Sequence, residues 1–401
     1  MDDLSGKHAR EASAQAAAHA MRGGGASMSR YLRLFTIGVF GLLGLVATFN
    51  WAVDPYDYWG NPRIEGFDRF KPEAHRHLIA GKLKQYARMA PATIVAGNSR
   101  TEVGVDPDAV AAPARLKPIY NLGLPGYDTE SVVDVVERAV KLHKPQAIYL
   151  GVDFIDFRIS QKDWRASVAP AEPKQAEGWS DQLSQLASLT LSLDALSDSV
   201  GTVLAQRAQH PGNTTPAGHS VGEFDALVPT EGHAALFAQR NADYRSRLLA
   251  GPKVVRWQGP GGNPDLAALE RLAALCRREG IQLVVFTYPY HLDILRQFED
   301  VGLWPAFADW KSMLADFSQR SGVPVWDFAH VDAFTTEVVP AKGDKKTKMR
   351  FYWESGHFKA ALGDQMIEAM IRGGGYGGPI DPATIAADHA HLADHPQHSG
   401  L

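Results

Sequence analysis

The sequence predicts a mostly parallel β-sheet covered by helices on both faces, preceded by one membrane-spanning helix. Three observations carry this. Apolar runs of strand length alternate with helix-period patterns across residues 93–372, the rhythm of βαβ units. The runs are short and nearly all apolar, as expected of strands covered on both sides. Residues 34–53 carry no charge and are numerous enough to cross a bilayer as a helix.

Taken in order, residues 1–33 predict a disordered cytoplasmic tail, since the first 27 are rich in Ala, Gly and Ser. Arg22, Arg30 and Arg33 precede the span and Asp54 and Asp57 follow it. The positive-inside rule therefore leaves the N-terminus cytoplasmic and exports the remainder. The span is too long for a cleaved signal peptide and lacks a small-x-small site near its end, so it reads as an uncleaved inner (plasma) membrane anchor. Residues 54–90 form a turn-rich juxtamembrane segment whose Tyr56, Tyr58 and Trp59 suit the headgroup level.

The folded region, 91–376, opens with strands at 93–96 and 118–122. A helix over 129–143 places Val132, Val133, Val136, Ala139 and Val140 on one face. A third strand is expected at 146–152. Residues 157–262 read as an insertion holding a helical stretch, 179–209, and a Pro/Gly-rich loop, 211–218. An excursion of that size is usually a lid, a substrate-binding element or a partner surface. A helix over 264–280 ends at glycine and feeds a strand at 281–288. The helix Trp304–Ser321, a strand at 323–328 and a helix over 359–372 complete the region. Residues 377–401 carry His389, His391, His395 and His398 among aspartates, and predict a flexible tail rather than a metal site.

Composition bounds the chemistry. The chain has 401 residues, 45% apolar and 21% charged, the balance of an ordinary globular protein with an appendage. A net charge of −4 gives no case for nucleic acid. A single cysteine, Cys276 in an apolar helical setting, excludes an intrachain disulfide and a thiolate metal cluster, and predicts a buried thiol. No cofactor and no metal are expected.

Two segments carry chemistry. In Ile94-Val95-Ala96-Gly97-Asn98-Ser99, an apolar strand ends at glycine and delivers Ser99 to the carboxyl edge, where open parallel sheets bind ligands. A serine hydroxyl needs a base, or else it merely caps a turn. In Phe351-Tyr352-Trp353-Glu354-Ser355-Gly356-His357-Phe358, His357 is a candidate base and Glu354 a candidate orienter of its imidazole. The plain alternative is a surface histidine beside a capping glutamate. Asn121-Leu122-Gly123-Leu124-Pro125-Gly126 offers glycine N–H groups to an oxyanion, or is a simple Pro-Gly turn. Asp153, at the end of Gly151-Val152-Asp153, binds substrate or a histidine, or starts a turn. Arg100 binds an anionic group or pairs with Glu102, and Asp327 is a fallback orienter.

These segments, in this order, resemble the SGNH (GDSL-like) hydrolase superfamily. Gly97-Asn98-Ser99 resembles its first block, with Asn98 where Asp is usual. Gly123 resembles the second, with Gly126 an alternative. Gly151-Val152-Asp153-Phe154 resembles the third, with Asp153 where Asn is usual, and Glu354-Ser355-Gly356-His357 resembles the fifth, Asp-x-x-His. The resemblance covers 91–160 and 264–372 and implies a flavodoxin-like three-layer α/β/α fold. It also implies Ser99 as nucleophile, His357 as base, Glu354 as acid, and the N–H groups of Ser99 and Gly123 as oxyanion hole. Asn98, Arg100, Gly126 and Asp153 are then candidate substrate contacts. With one anchor and an exported body, the chain also looks like the D-alanine transfer proteins and the alginate-acetylation proteins that work beside membrane-bound O-acyltransferases. The expected function is an acyltransferase or esterase moving an acetyl group onto or off a cell-surface or secreted polysaccharide, with that glycan, membrane lipid and a membrane-bound O-acyltransferase as partners. The rival expectation is a catalytically silent binding or scaffold subunit, for which Trp164, Trp179, Trp257 and Trp304 are candidate sugar-stacking residues, although buried packing is the role expected of them.

Overall fold

A computed structural model describes residues 3–166, 178–209 and 212–394. The chain divides into two compact units. One contains the N-terminal helix to Asp54 and the segment up to Gly201; the other takes up the chain from Pro55 and again from Thr202.

In the first unit a single helix runs Asp3–Val53. Its Met28–Val53 portion is long and apolar enough to cross a membrane, with a mean hydropathy of 1.9. The tail expected to be disordered is instead a continuation of this helix from Asp3, in keeping with the high helix propensity of its many alanines. Near the other end, Asn50 donates from Nδ2 to the Thr190 carbonyl at 2.9 Å. Thr190 closes the helix Trp179–Thr190. The expected helical stretch 179–209 is thus broken, with a second helix at Leu193–Ala205.

In the second unit the strands are β1 (Thr93–Gly97), β2 (Ile119–Gly123), β3 (Ala147–Val152), β4 (Asn213–Thr214), β5 (Ser220–Val221), β6 (Gln282–Thr287), β7 (Val325–Asp327), β8 (Tyr352–Glu354), β9 (His357–Phe358) and β10 (Gly378–Pro379). Six of them form one sheet in the order β10-β7-β6-β3-β1-β2. All its pairings are parallel except that of β10 with β7. The other strands make two small antiparallel hairpins, β4-β5 and β8-β9. The chain passes from β1 outward to β2, then back across β1 to β3. This reversal opens a crevice beyond the carboxyl ends of β1 and β3.

Strand side chains alternate between two buried clusters, which is why the runs read as continuously apolar. Ile94, Ala96, Ile148, Leu150, Val152, Leu283 and Val285 face one cluster. Val95, Ala147, Tyr149, Val284 and Phe286 face the other. The first cluster is covered by the helices Thr129–Leu142, Pro264–Glu279 and Trp304–Ser321, and the second by Ala360–Arg372. Cys276 is buried in the first cluster, and burial pushes its thiol up to about 12.

Two expectations are corrected. Tyr56 and Tyr58 do not face a headgroup region; both are buried within the second unit. Residues 54–90 fold around Asp57, which accepts from Arg63 and Gln85, each at 2.6 Å. Of the expected flexible tail, Gly378–Pro379 borders β7 and Pro382–Asp394 is a helix. That helix is fixed by Lys311, fully buried between Asp327 at 2.8 Å and Asp388 at 2.7 Å. His395 and His398 lie outside the described residues. Of the four candidate tryptophans, Trp304 is buried against His389, as core packing predicts, and Trp257 donates to the Ile159 carbonyl, while the side chain of Trp179 lies outside the described residues.

Candidate active site

β1 ends at Gly97, with a φ of 155°. A Cβ there would collide with Tyr288 Oη and Thr101 Oγ1, so only glycine lets the strand end pass so close to the tyrosine. The Tyr288 hydroxyl accepts from the Asn98 N–H at 3.1 Å and shares a 2.9 Å hydrogen bond with Thr101. Asn98 then caps the short helix Ser99–Gly104, its Oδ1 accepting from the Arg100 N–H at 3.0 Å. Ser99 is therefore the first helical residue, where the backbone N–H has no intrahelical acceptor. Its side chain is half-buried rather than sealed in the core.

The β8-β9 hairpin brings the second segment to the same place. Ser99 Oγ lies 2.8 Å from His357 Nε2. The other ring nitrogen, Nδ1, contacts Glu354 Oε1. Glu354 pairs with His357 in the hairpin register, and the Gly356 N–H donates to Glu354 Oε2 at 2.7 Å. The tight Ser355-Gly356 turn is what allows a glutamate three residues earlier to reach the distal nitrogen. Burial would push the Glu354 carboxyl up, but His357, Arg240 and the Gly356 N–H outweigh it and hold the pKa below the usual value. The two segments singled out in the sequence thus converge as hydroxyl, imidazole and carboxylate in one hydrogen-bonded line.

The remaining candidates fall elsewhere. Asp153 is buried and fully engaged: it accepts from Arg100 Nη1, from Asn98 Nδ2 at 3.0 Å and from the Tyr290 hydroxyl at 2.7 Å. Arg100, expected to meet an anionic group or Glu102, is buried against Asp153 and donates to the Tyr244 hydroxyl. Its guanidinium also lies over the Tyr290 ring, 5.2 Å from the centroid. Burial disfavours its charge, but Asp153 and the surrounding tyrosines reverse the balance and raise its pKa. Glu102 pairs with Lys82 at 3.1 Å instead. Arg100 and Asp153 form an internal ion pair beneath the serine, and neither is open to substrate.

Gly123 is corrected as an oxyanion donor. Its N–H donates to Asn121 Oδ1 at 2.9 Å. The glycine is required because a Cβ would strike the backbone of Glu102 in the helix that follows Ser99. Gly126 sits exposed in a turn with a φ of 78°. Asp327, the fallback orienter, is held by Lys311 and by the Thr287 hydroxyl at 2.8 Å, and has no part in the triad.

Several contributing residues carried no local signal. The helix His233–Ala250, inside the expected insertion, backs the hairpin along its length. His233 bonds through Nδ1 to the Trp353 carbonyl at 2.9 Å and accepts at Nε2 from the Met349 N–H at 3.1 Å. About two turns later Arg240 Nε lies 3.1 Å from Glu354 Oε1. A further turn on, Tyr244 meets Arg100. This part of the insertion is a brace for the hairpin and the ion pair, not a lid. Phe224 stacks on Trp353 with ring centroids 5.4 Å apart and leans on His357 at 5.6 Å. Beside this pair is a cavity of about 160 Å³ lined by Val103, Phe224, Trp353 and Ala360. Two of its lining residues neighbour the catalytic candidates: Val103 stands one helical turn after Ser99, and Phe224 leans on His357.

The brace has a pH consequence. Burial lowers the His233 pKa below its ordinary 6.5. Glu354 is lowered below its ordinary 4.5. Both groups bind protons less readily folded than unfolded, so their contributions are complete above those values and fade as pH falls. Amide exchange across residues 349–358 is expected to accelerate in two stages on acidification, first below 6.5 and then below 4.5, after correction for intrinsic rates. Protection that stays flat from about pH 7 to about pH 4 contradicts this account.

The chain matches no protein-family model and no curated protein.

Proposed function

We propose that this chain is a single-pass, membrane-anchored serine acyltransferase or esterase with an SGNH-like domain outside the cytoplasm. The observation that carries the reading is the 2.8 Å contact between Ser99 Oγ and His357 Nε2, with Glu354 on the opposite ring nitrogen. The sheet supports the fold part of the proposal: counted among the sheet strands alone, its parallel members run in the order 2-1-3-4-5, the flavodoxin-like arrangement. The reaction edge is also the one such sheets use. Arg30 and Arg33 before the charge-free run 34–53, and Asp54 after it, support a cytoplasmic N-terminus.

In the proposed cycle Ser99 Oγ attacks the carbonyl carbon of an ester while its proton passes to His357 Nε2. Glu354 stabilises the imidazolium. The tetrahedral oxyanion takes the Ser99 N–H and the second Nδ2 hydrogen of Asn98, the first being held by Asp153. His357 returns the proton to the departing alcohol, leaving Ser99 acylated. An incoming hydroxyl then gives its proton to His357, attacks the acyl carbon and restores the serine. A sugar hydroxyl as acceptor gives transfer; water gives hydrolysis. The acetyl group, the cell-surface or secreted polysaccharide and a membrane-bound O-acyltransferase as donor partner follow from the SGNH resemblance.

A fluorophosphonate probe on the full-length protein in detergent tests the reading. Labelling is expected on Ser99 and is expected to disappear in both Ser99→Ala and His357→Ala. No labelling, together with no turnover of p-nitrophenyl acetate, sinks the enzyme assignment and favours a silent binding subunit. Phe224 and Trp353, stacked beside the histidine, are then the residues to examine for glycan contact.

A further inference from the structure

The Trp179–Thr190 helix belongs by sequence to the excursion between β3 and β6, yet it folds with the end of the N-terminal helix rather than with the sheet-bearing unit. We propose that this helix and the turn after it form a second membrane contact, with Leu183, Leu191 and Leu193 entering the acyl edge of the bilayer that the N-terminal helix crosses. The proposal rests on reading that N-terminal helix as a membrane anchor.

The exposed residues are the first support. Leu183 is 54% exposed, Leu191 45% and Leu193 83%, while Leu189 of the same helix is 1% exposed. Leu183, Ala187 and Leu191 follow at four-residue spacing and so share one side. Val200, 44% exposed, extends the apolar surface into the next helix. Large apolar side chains left exposed along so short a stretch need an apolar partner.

Depth is the second support, and it selects lipid as that partner. A hydrocarbon core about 30 Å thick takes about 20 helical residues. Counted from Arg33, the last charge before the apolar run, such a span ends near Val53, and Asn50 lies in its final turn. The hydrogen bond from Asn50 to the Thr190 carbonyl therefore fixes the end of the Trp179–Thr190 helix at the bilayer edge. Trp51, 50% exposed at the same level, is the aromatic type that favours this boundary.

Charge then says which property of the lipid matters. Residues 178–201 carry Asp181, Asp194 and Asp198 but no lysine or arginine. Interfacial helices that depend on anionic headgroups are rich in basic residues. This contact is accordingly apolar and independent of headgroup charge.

Single cysteines placed at Leu183, Leu191 and Leu193 of the full-length protein in phosphatidylcholine nanodiscs, labelled with an environment-sensitive fluorophore, test the proposal. Cys276 can stay, because it is buried and its thiol is pushed up to about 12. Labels at the three leucines are expected to be quenched several-fold more by a lipid nitroxide near the headgroup than by aqueous iodide. A label at exposed Glu270 is expected to show the reverse. Replacing part of the phosphatidylcholine by phosphatidylglycerol is expected to leave the pattern unchanged; a requirement for anionic lipid overturns the proposal. Iodide quenching at the leucines equal to that at Glu270, with a label at Leu42 still quenched by lipid, overturns the second contact and spares the anchor. Iodide quenching at Leu42 itself overturns both. Shielding of the leucines from both quenchers overturns lipid in favour of a protein partner.

Discussion

Ser99→Ala is expected to lower turnover of an activated acetyl ester by about a thousand-fold or more while leaving the thermal midpoint within a degree or two. The size of the loss follows from the role. Without the hydroxyl no acyl-enzyme forms, and only the oxyanion donors and substrate binding remain. The lack of a stability cost follows from the surroundings. Ser99 Oγ is half-buried and meets His357, whereas the helix it starts is capped by the neighbouring Asn98. His357→Ala is expected to cost about as much, and the double variant no more than either single one, because the two side chains act as one unit. Activity retained in Ser99→Ala, measured as steady-state hydrolysis of p-nitrophenyl acetate by the full-length protein, eliminates the proposed nucleophile.

Asp153→Ala is expected to destabilise the fold by about 3–5 kcal/mol, measured by urea unfolding, because it strands a buried guanidinium. The Asp153 and Arg100 side chains are 5% and 6% exposed, so water cannot replace the lost partner. The cost is not the worth of the pair itself. A double replacement, Arg100→Met with Asp153→Leu, is expected to recover much of it, since buried ion pairs are commonly matched by apolar residues of similar size. An unfolding change within about 0.5 kcal/mol for Asp153→Ala is the behaviour of a surface residue and refutes the internal role. The single variant is also expected to lose activity, through Asn98, whose amide Asp153 fixes beside the nucleophile.

The parts of this molecule readable from sequence are those set by local pattern. The five parallel strands were found to within two residues because both faces are covered and each run is mostly apolar, whereas β10 and the short hairpin strands β4, β5, β8 and β9 were not expected. Ser99 was found because it follows a strand at the edge where parallel sheets bind ligands, and His357 because its aromatic-rich segment, with an acid three residues earlier, precedes the final helix. Residues that act through distant partners were not readable. Nothing near Asp153 announces Arg100, Tyr290 and Asn98 as its neighbours. Arg240 and Tyr244 sit in a helix whose sequence is unexceptional, and their use depends on where the hairpin and the ion pair arrive. Tyr288 was open to recognition, standing at the carboxyl end of a strand beside the crevice, but it reads equally as core. Gly123 misled in an instructive way. A glycine after a strand suggested a free N–H, whereas the glycine is needed for a helix to approach and its N–H already serves Asn121. Tyr56 and Tyr58 misled because membrane-proximal aromatics suit a lipid surface and a protein core equally well.

The pairing of Gly378–Pro379 with β7 is short, but it lies where the sheet would otherwise stop with unpaired backbone groups. Pro379 has no N–H to offer a further strand, and the helix beyond it is fastened by the Lys311 cation. The C-terminal segment therefore works as a hem along one side of the molecule. A chain shortened at Gly377 keeps its serine, histidine and glutamate, but it exposes a raw border on which identical copies can stitch themselves together.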